Sequence, residues 1–278
     1  MTQAPAKVAI VTGGGRGLGL GIGKCLAAAG YRVALWDRDG DNALNAAAEL
    51  RTAGATAFGI ACDVSDYDAV AAATQATERE LGRPTLLVNN AGTRHRARLE
   101  DLTPADWQNE IGVNLSGVFY CTQLVGRRML EVEYGSIVNI ASMSASSGLA
   151  LRGAYTPTKA GVVGLTMLTA VEWGGRGIRC NAISPGIFAS PGNADVYANK
   201  ALLEGRQAVI PAGRLGQPND LGDVVVFLGS DAARYINGVN IPVDGGAAQA
   251  HISLFPTIGP DGQHLDSALQ ALPRSHKN

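Results

Sequence analysis

From Lys7 onward, short apolar runs typical of β-strands alternate with longer alanine-rich stretches typical of helices. The strand-like runs read KVAIVT, RVALW, TAFGIA, TLLVNN, GSIVNIA, IRCNAIS and NIPVD. Nearly continuous apolar strands separated by helices predict a parallel sheet that is buried on both faces. We therefore expect an α/β fold, a doubly wound parallel sheet with right-handed crossovers.

The chain shows no internal boundary before residue 247. The predicted helices span residues 18–29, 43–53, 67–81, 105–130, 155–173 and 221–230. No linker interrupts this pattern, so we predict a single domain over residues 7–246. Residues 247–278 carry Pro and Gly and one weak helical segment at 265–272. We interpret them as a C-terminal extension, which either packs on a neighbouring subunit or is frayed.

The charge and cysteine content exclude several classes of protein. Lys and Arg number 23 against 24 Asp and Glu, so no basic excess indicates a nucleic-acid or membrane surface. The four cysteines form no CxxC pair, so neither a metal site nor a disulfide framework is predicted. The first apolar run is too short for a signal peptide or a membrane span. We therefore expect a cytoplasmic protein.

A glycine-rich turn, TGGGRGLG, connects the first predicted strand to the first helix. Glycines let the backbone approach a pyrophosphate closely, and the helix N-terminus offers it amide donors. Asp37 ends the next strand, close to the spacing expected for a carboxylate that binds an adenosine ribose. The pattern predicts a Rossmann-like dinucleotide site, and its residues in the turn are Gly13, Gly15, Arg16, Gly17, Leu18 and Gly19. The alternative is an ordinary tight turn beside a solvated Asp37.

Asp37 also indicates which dinucleotide binds. Its carboxylate would repel the 2′-phosphate of NADP, so we predict NAD as the cofactor. Arg16 and Arg38 argue in the opposite direction, because either guanidinium can pair with a phosphate.

Two further segments follow strands at the same predicted edge of the sheet. CDV follows the third strand and NNAG follows the fourth. Ligands of open α/β sheets bind at the carboxyl ends of the strands, so both segments should extend the nucleotide site. The residues concerned are Asp63, Val64, Asn90, Ala91 and Gly92. The structural alternatives are a turn or helix cap for Asp63 and strand-end turn chemistry for NNAG.

Tyr155 and Lys159 belong to the sequence YTPTK at the start of a predicted helix. A spacing of four places both side chains on one helix face, and an ammonium near a phenol favours the phenolate. This pair is predicted to act as a general acid and base. Ser142 ends the fifth strand, where its hydroxyl can bind a substrate oxygen. Asn114 lies in the middle of a predicted helix, where an amide has a poor helix preference.

Taken in order, these motifs resemble the short-chain dehydrogenase/reductase family. The matching segments lie between residues 7 and 246 and include TGGGRGLG, NNAG, YTPTK, ISPG, GRLGQPND and VDGG. The resemblance implies a tetrad in which Tyr155 transfers the proton and Ser142 orients the carbonyl or alcohol. In that tetrad Tyr155 and Lys159 also belong to the cofactor site, where Lys159 binds the nicotinamide ribose, and Asn114 holds a water relay. The resemblance further implies nicotinamide contacts from Pro185, Gly186, Phe188 and Ser190.

We therefore expect an NAD-dependent oxidoreductase that transfers a hydride between a secondary alcohol, polyol or hydroxy acid and its ketone. One alternative is a protein of this fold that binds NAD as a regulatory ligand without turnover. A dehydration or epimerisation catalyst of the same fold is another. The expected partner is a small-molecule alcohol or ketone. We expect neither nucleic acid nor membrane as a partner.

A basic cluster follows NNAG directly and consists of Arg94, His95, Arg96 and Arg98. Such a cluster, joined by Arg152, can hold a carboxylate or a polyhydroxylated substrate. The alternative is that these arginines are solvated or pair with Glu100, Asp101 and acidic residues of a neighbouring subunit. Residues 187–213 are expected to close the substrate pocket.

The helix of Tyr155 also predicts assembly. It carries the small residues Ala160, Gly161, Gly164 and Ala170, which allow two helices to approach closely. We predict that two subunits pair through this helix, with close packing inside one chain as the alternative. The family resemblance implies a homotetramer, or otherwise a homodimer.

Overall fold

A parallel sheet of seven strands forms the centre of the part of the chain that the structure describes. This computed structural model describes residues 7–189, 198–250, 254, 257–258, 263–265 and 267. Strands β1 to β7 span Val8–Thr12, Arg32–Asp37, Ala57–Ala61, Leu86–Asn89, Gly135–Ile140, Ile178–Pro185 and Asn240–Val243. Their order is β3-β2-β1-β4-β5-β6-β7, and every neighbouring pair is parallel. The winding reverses between β1 and β4, which opens a crevice at the carboxyl ends of these strands.

Helices cover both faces of the sheet. In the described ranges, α1 to α8 span Gly17–Ala28, Gly40–Thr52, Tyr67–Leu81, Pro104–Ile111, Gly117–Leu130, Tyr155–Trp173, Lys200–Ala208 and Pro218–Gly229. Alternate residues of β1 enter two different cores. Ala9 and Val11 pack with α1, α2 and α8, whereas Val8 and Ile10 pack with α3, α5 and α6. This burial on both faces explains the apolar strands and confirms the predicted doubly wound α/β fold.

The prediction of one continuous helix over residues 105–130 is wrong, because the segment forms two α-helices joined by a π-helical turn. The chain forms α4, then a π-helical turn at Gly112–Ser116, and then α5. A π-helical turn adds one residue to the backbone ladder, so α4 and α5 do not share a single face pattern. Asn114 lies within this turn and is fully buried.

Helix α8 begins earlier than the predicted residue 221. Pro218 occupies the first turn, where a missing N–H costs nothing. The Asp220 carboxylate accepts a hydrogen bond from the backbone N–H of Gln217 at 2.7 Å, which completes the helix start.

The C-terminal extension contains a short pairing of two strands. β8 (Thr257–Ile258) and β9 (His264–Leu265) are antiparallel. Leu265 therefore lies in a strand and not in the predicted helix 265–272, and the β-branched Thr257 and Ile258 favour this choice. Most of that predicted helix lies outside the described residues. None of the described helices is long and apolar enough to cross a membrane.

Candidate active site

The glycine-rich turn lies between β1 and α1, at the sheet crevice. Gly13 and Gly17 have φ values of +61° and +58°, in the left-handed region that favours glycine. A Cβ atom at Gly19 would overlap the carbonyl oxygen of Gly13. The turn therefore requires glycine at these positions, and its backbone remains open to a ligand.

Asp37 is the last residue of β2, and its carboxylate is fixed beside this turn. Its Oδ2 accepts a hydrogen bond from the backbone N–H of Gly15 at 3.0 Å, and its Oδ1 accepts one from Asp39 at 3.1 Å. Arg16 and Arg38 are both exposed. A carboxylate therefore stands beside the turn in a fixed position, while the two guanidiniums extend towards solvent.

Asn90 joins the end of β4 to the glycine-rich turn. Its Nδ2 donates to the carbonyl oxygens of Thr12 (2.9 Å) and Gly13 (3.2 Å). The backbone N–H groups of Asn90 and Ala91 both donate to Thr12 Oγ1 at 3.0 Å. The turn chemistry of NNAG is thus present, and it holds the two predicted cofactor segments together.

Asp63 and Val64 form the corresponding turn after β3. Asp63 Oδ1 accepts hydrogen bonds from the Ser65 N–H (2.9 Å) and the Ser65 hydroxyl (2.7 Å). Val64 is buried, and a Cβ atom at Gly117 would lie 2.8 Å from its Cγ2. The structural alternative for Asp63 is therefore observed, and its contact with a nucleotide stays a prediction.

Lys159 is a buried cation beside Tyr155. The residue belongs to α6 and is only 3% exposed. Its Nζ donates a hydrogen bond to the carbonyl oxygen of Ile140 at 2.6 Å. Burial lowers the pKa of Lys159 from 10.5 to about 8. Nζ lies 5.6 Å from the centroid of the half-buried Tyr155 ring. A positive charge is therefore held close to the phenol at the carboxyl end of β5.

Asn114 connects the π-helical turn to the loop after β4. Its Oδ1 accepts from the Thr93 N–H at 2.8 Å, and its Nδ2 donates to the Thr93 carbonyl oxygen at 2.9 Å. A Cβ atom at Gly92 would lie 3.3 Å from Asn114 Oδ1 and 4.0 Å from Lys159 Nζ. The fold thus brings NNAG, Asn114 and Lys159 into one place.

Ser142 follows β5 and begins a short 3₁₀ turn. Its Oγ accepts a hydrogen bond from the Ser144 N–H at 3.1 Å, and its carbonyl oxygen accepts one from Ser184 Oγ at 2.9 Å. The hydroxyl oxygen is oriented by this cap, and its own proton can point to a substrate oxygen.

The predicted nicotinamide contacts lie at the end of β6. Pro185 and Gly186 are half-buried, and a Cβ atom at Gly186 would lie 2.6 Å from the Asp244 side chain. The Phe188 ring is buried in the core and packs on Gly216. Ser190 lies outside the described residues.

Glu110 is a buried carboxylate that the motifs do not identify. Its Oε1 accepts from the His95 N–H at 2.8 Å and its Oε2 from the Ala154 N–H at 2.7 Å. It therefore fastens the loop after β4 to the residue directly before Tyr155. A glutamate in a short helix usually faces solvent. No local sequence pattern identifies it, because the N–H groups that it binds lie 15 and 44 residues away.

The basic cluster after NNAG divides into two groups. The Arg98 Nη1 atom lies 3.7 Å from Glu100 Oε1, and His95 Nδ1 lies 3.7 Å from Asp106 Oδ1. Arg98 therefore pairs with Glu100, as the alternative predicted, whereas Asp106 beside His95 was not among the predicted acidic partners. The other two arginines of the cluster, Arg94 and Arg96, are exposed.

Comparison with known proteins agrees with this geometry. The family model described as Enoyl-(Acyl carrier protein) reductase matches residues 13–248. The chain belongs to the short-chain dehydrogenase/reductase family. This short-chain dehydrogenase/reductase is similar to D-threitol dehydrogenase of Mycolicibacterium smegmatis, with 41% identity over 240 residues that cover 86% of this chain and 92% of that protein. It is 37% identical to gluconate 5-dehydrogenase of Gluconobacter oxydans, over 86% of this chain and 93% of that one.

A solved structure has the same fold. The gluconate 5-dehydrogenase of Burkholderia cenocepacia, in complex with NADP and tartrate, superposes with a TM-score of 0.84 at 35% identity, covering 89% of this chain and 97% of that chain. The resemblance expected from the motifs is therefore confirmed. The protein is an enzyme, an oxidoreductase that acts on secondary alcohols with a nicotinamide cofactor.

Proposed function

We propose that this enzyme uses NAD to interconvert a secondary alcohol of a polyhydroxylated compound and its ketone. The observation that carries the proposal is the buried Lys159 ammonium beside the Tyr155 phenol, at the sheet edge that also holds the glycine-rich turn. The similarity to D-threitol dehydrogenase and gluconate 5-dehydrogenase supports the polyhydroxylated class.

Four side chains of the site have separate roles in the proposed reaction. Tyr155 gives or takes the proton of the substrate oxygen, and the Ser142 hydroxyl binds the same oxygen. The Lys159 ammonium lies beside the phenol, where its charge stabilises the negative charge that develops on the Tyr155 oxygen during proton transfer. Asn114 holds the loop after β4 and, like Lys159, lies beside Gly92, where it can hold a water that exchanges protons with the ammonium. When bound, nicotinamide supplies or accepts the hydride.

The residues present fit a dinucleotide. A Cβ atom at Gly17 would have no described protein atom within 4 Å, apart from its chain neighbours and its own helix backbone, so the start of α1 is open to a pyrophosphate. The Asp37 carboxylate is placed to accept hydrogen bonds from ribose hydroxyls. Two contacts to loop N–H groups hold it there, and its negative charge opposes a 2′-phosphate. These features support NAD over NADP.

The cofactor proposal is tested with Asp37→Ser. We expect the ratio of kcat/KM for NAD to that for NADP to fall about tenfold or more, because the repulsive charge is lost. Asp39→Ser is the matched control, since Asp39 lies in the same turn but caps α2 through the Asn42 N–H. A wild-type enzyme that prefers NADP would mean that Arg16 and Arg38 decide the specificity.

The substrate class is tested by a turnover screen with NAD. We expect threitol, gluconate and glucitol to be oxidised faster than 2-octanol or 1-phenylethanol, as followed by NADH absorbance. A clear preference for the alkyl or aryl carbinols would contradict the polyhydroxylated class. Binding of NAD without turnover of any carbinol would instead favour a regulatory role.

The domain bounds and the cellular compartment are proposed from the extent of the family match and from the cysteines. We infer a catalytic domain at residues 7–246 with an extension at 247–278, supported by the end of the family match at residue 248. Four free cysteines support a reducing compartment, the cytoplasm.

For assembly we propose a homotetramer, or a homodimer, paired through α6. Two small residues of α6 pack within the chain, because Gly161 lies against Leu115 and Ala170 is buried. Gly164 faces open space and is available to a second subunit. The exposed apolar residues Leu168 and Val171 (53% and 83% exposed) support pairing at this helix. Light scattering that shows a monomer would contradict it.

A further inference from the structure

Two loops that carry arginine meet beside Tyr155. The loop after β4 carries Arg94 and Arg96 on either side of His95, and the segment before α6 carries Arg152. Glu110 joins the two segments through the N–H groups of His95 and Ala154. A Cβ atom at Gly153 would lie only 3.2 Å from the His95 carbonyl oxygen. The two backbones therefore touch at this point.

Arg152 is held firmly in this position. It stands between Leu151 and Gly153, both in the left-handed region with φ of +61° and +53°. Leucine rarely adopts this conformation, and such backbone strain is concentrated at functional sites. The carbonyl oxygen of Arg152 accepts a hydrogen bond from the Tyr155 N–H at 3.0 Å, so its position is tied to the start of α6.

Most of the charged side chains that act on Arg152 are other arginines. Burial lowers the pKa of the Arg152 guanidinium, and the positive charges of Arg94, Arg96 and Arg206 lower it further, while Tyr155 acts in the opposite direction. The nearby Glu110 carboxylate uses its two oxygens for backbone N–H groups. In the described part of the chain no carboxylate forms an ion pair with Arg152, Arg94 or Arg96.

Nothing in the fold requires such a cluster. Arg152 is partly buried, whereas Arg94 and Arg96 are exposed, and repulsion of a partly buried guanidinium by two others is unfavourable unless an anion compensates it. A guanidinium binds carboxylate or phosphate oxygens through paired hydrogen bonds in fixed geometry. The cluster also lies near the carboxyl edge of the sheet. Its member Arg152 is close enough to Tyr155 for the guanidinium and the phenol to interact electrostatically.

We propose that Arg152, with Arg94 and Arg96, forms a subsite for an anionic group, a carboxylate or a phosphate, carried on the same carbon chain as the reacting carbinol. This inference rests on the proposed function and names its substrate class more closely. The substrate is then a sugar acid, a hydroxy acid or a phosphorylated polyol, and a neutral polyol lacks one of its main contacts.

The test measures binding separately from turnover. Full-length enzyme loaded with NADH is titrated by calorimetry with gluconate, glucitol, 6-phosphogluconate and inorganic phosphate. Gluconate and glucitol differ in the terminal carboxylate, and NADH occupies the pyrophosphate site. We expect at least one of the two sugar acids to bind about tenfold more tightly than glucitol. Tight binding of gluconate indicates a carboxylate subsite, whereas tight binding of 6-phosphogluconate with gluconate no tighter than glucitol indicates a phosphate subsite.

Arg152→Gln should reduce affinity for the preferred acid about tenfold and leave glucitol affinity within about twofold. Arg98→Gln is the matched control, because Arg98 lies in the same loop but pairs with Glu100. Removal of repulsion should also leave Arg152→Gln at least as stable as wild type by urea unfolding, so a folding defect does not explain lost affinity.

Two results would overturn the subsite. One is glucitol binding as tightly as both acids. The other is Arg152→Gln losing affinity only for inorganic phosphate, which would indicate a free anion site. Failure of the proposed function has a different signature, namely no NADH formation with any carbinol while Arg152-dependent binding of the acid persists.

Discussion

Replacing Lys159 with methionine is expected to change how stability depends on pH. In the folded protein burial lowers the pKa of Lys159 to about 8, from an ordinary value of 10.5. Below pH 8 the lysine is protonated in both states, so the folded protein bears the full cost of a buried charge. Between pH 8 and pH 10.5 the unfolded chain holds a proton that the folded protein has released. The stability of the wild type therefore rises with pH in this window, and that of Lys159→Met lacks this rise.

The size of the effect follows from the pKa difference. One pKa unit corresponds to about 1.4 kcal/mol. Going from pH 7 to pH 9.5 crosses about 1.5 pH units above the folded pKa, so the wild type should gain about 2 kcal/mol relative to Lys159→Met. Loss of the hydrogen bond to the Ile140 carbonyl shifts the difference equally at both pH values and does not affect this comparison.

Urea unfolding of both proteins at pH 7 and pH 9.5, at one protein concentration, measures the difference. Lys24→Met is the control, because Lys24 is about half exposed and paired with Glu49, so its variant should show no comparable change. If the difference in unfolding free energy between wild type and Lys159→Met is the same at pH 7 and pH 9.5, Lys159 does not have the lowered pKa of a buried cation.

Two other substitutions test the scaffold of the site. Gly19→Ala should destabilise the protein by about 1–3 kcal/mol and weaken NAD binding, because the methyl group would overlap the Gly13 carbonyl. The control is Gly205→Ala, at a helix position with open space, which should be neutral or slightly stabilising in thermal unfolding. Glu110→Gln should cost about 1–3 kcal/mol, because an amide offers one acceptor to two buried N–H groups, and should lower kcat as the Tyr155 helix loses its tether. Glu100→Gln should change neither stability nor kcat, and equal effects of the two glutamate variants would show that the buried contacts do not matter.

The strand ends were predictable from sequence because parallel strands place their carboxyl ends at one edge. The turns at Gly13, Asp37 and Asn90 each follow an apolar strand, and local sequence alone therefore places them together. Their mutual hydrogen bonds, such as Asn90 to the Gly13 carbonyl, follow from that placement.

The features that escaped prediction depend on contacts between distant segments. Glu110 binds N–H groups 15 and 44 residues away, and no local pattern encodes such partners. The π-helical turn around Asn114 joins two helices without any loop, so the sequence was predicted to form one continuous helix. Which arginines pair with acids, such as Arg98 with Glu100, depends on side-chain directions that composition does not contain.

The most direct test of the central claim is the activity of Tyr155→Phe. The account predicts that oxidation of the best polyhydroxylated substrate by NAD falls about a hundredfold or more, because the transferable proton is lost. NADH affinity, measured by fluorescence, should stay within about threefold of wild type, because no predicted contact to the nucleotide depends on the phenol oxygen. Near-normal turnover in this variant, with NADH still bound, would contradict the assignment of Tyr155 as the proton-transferring group.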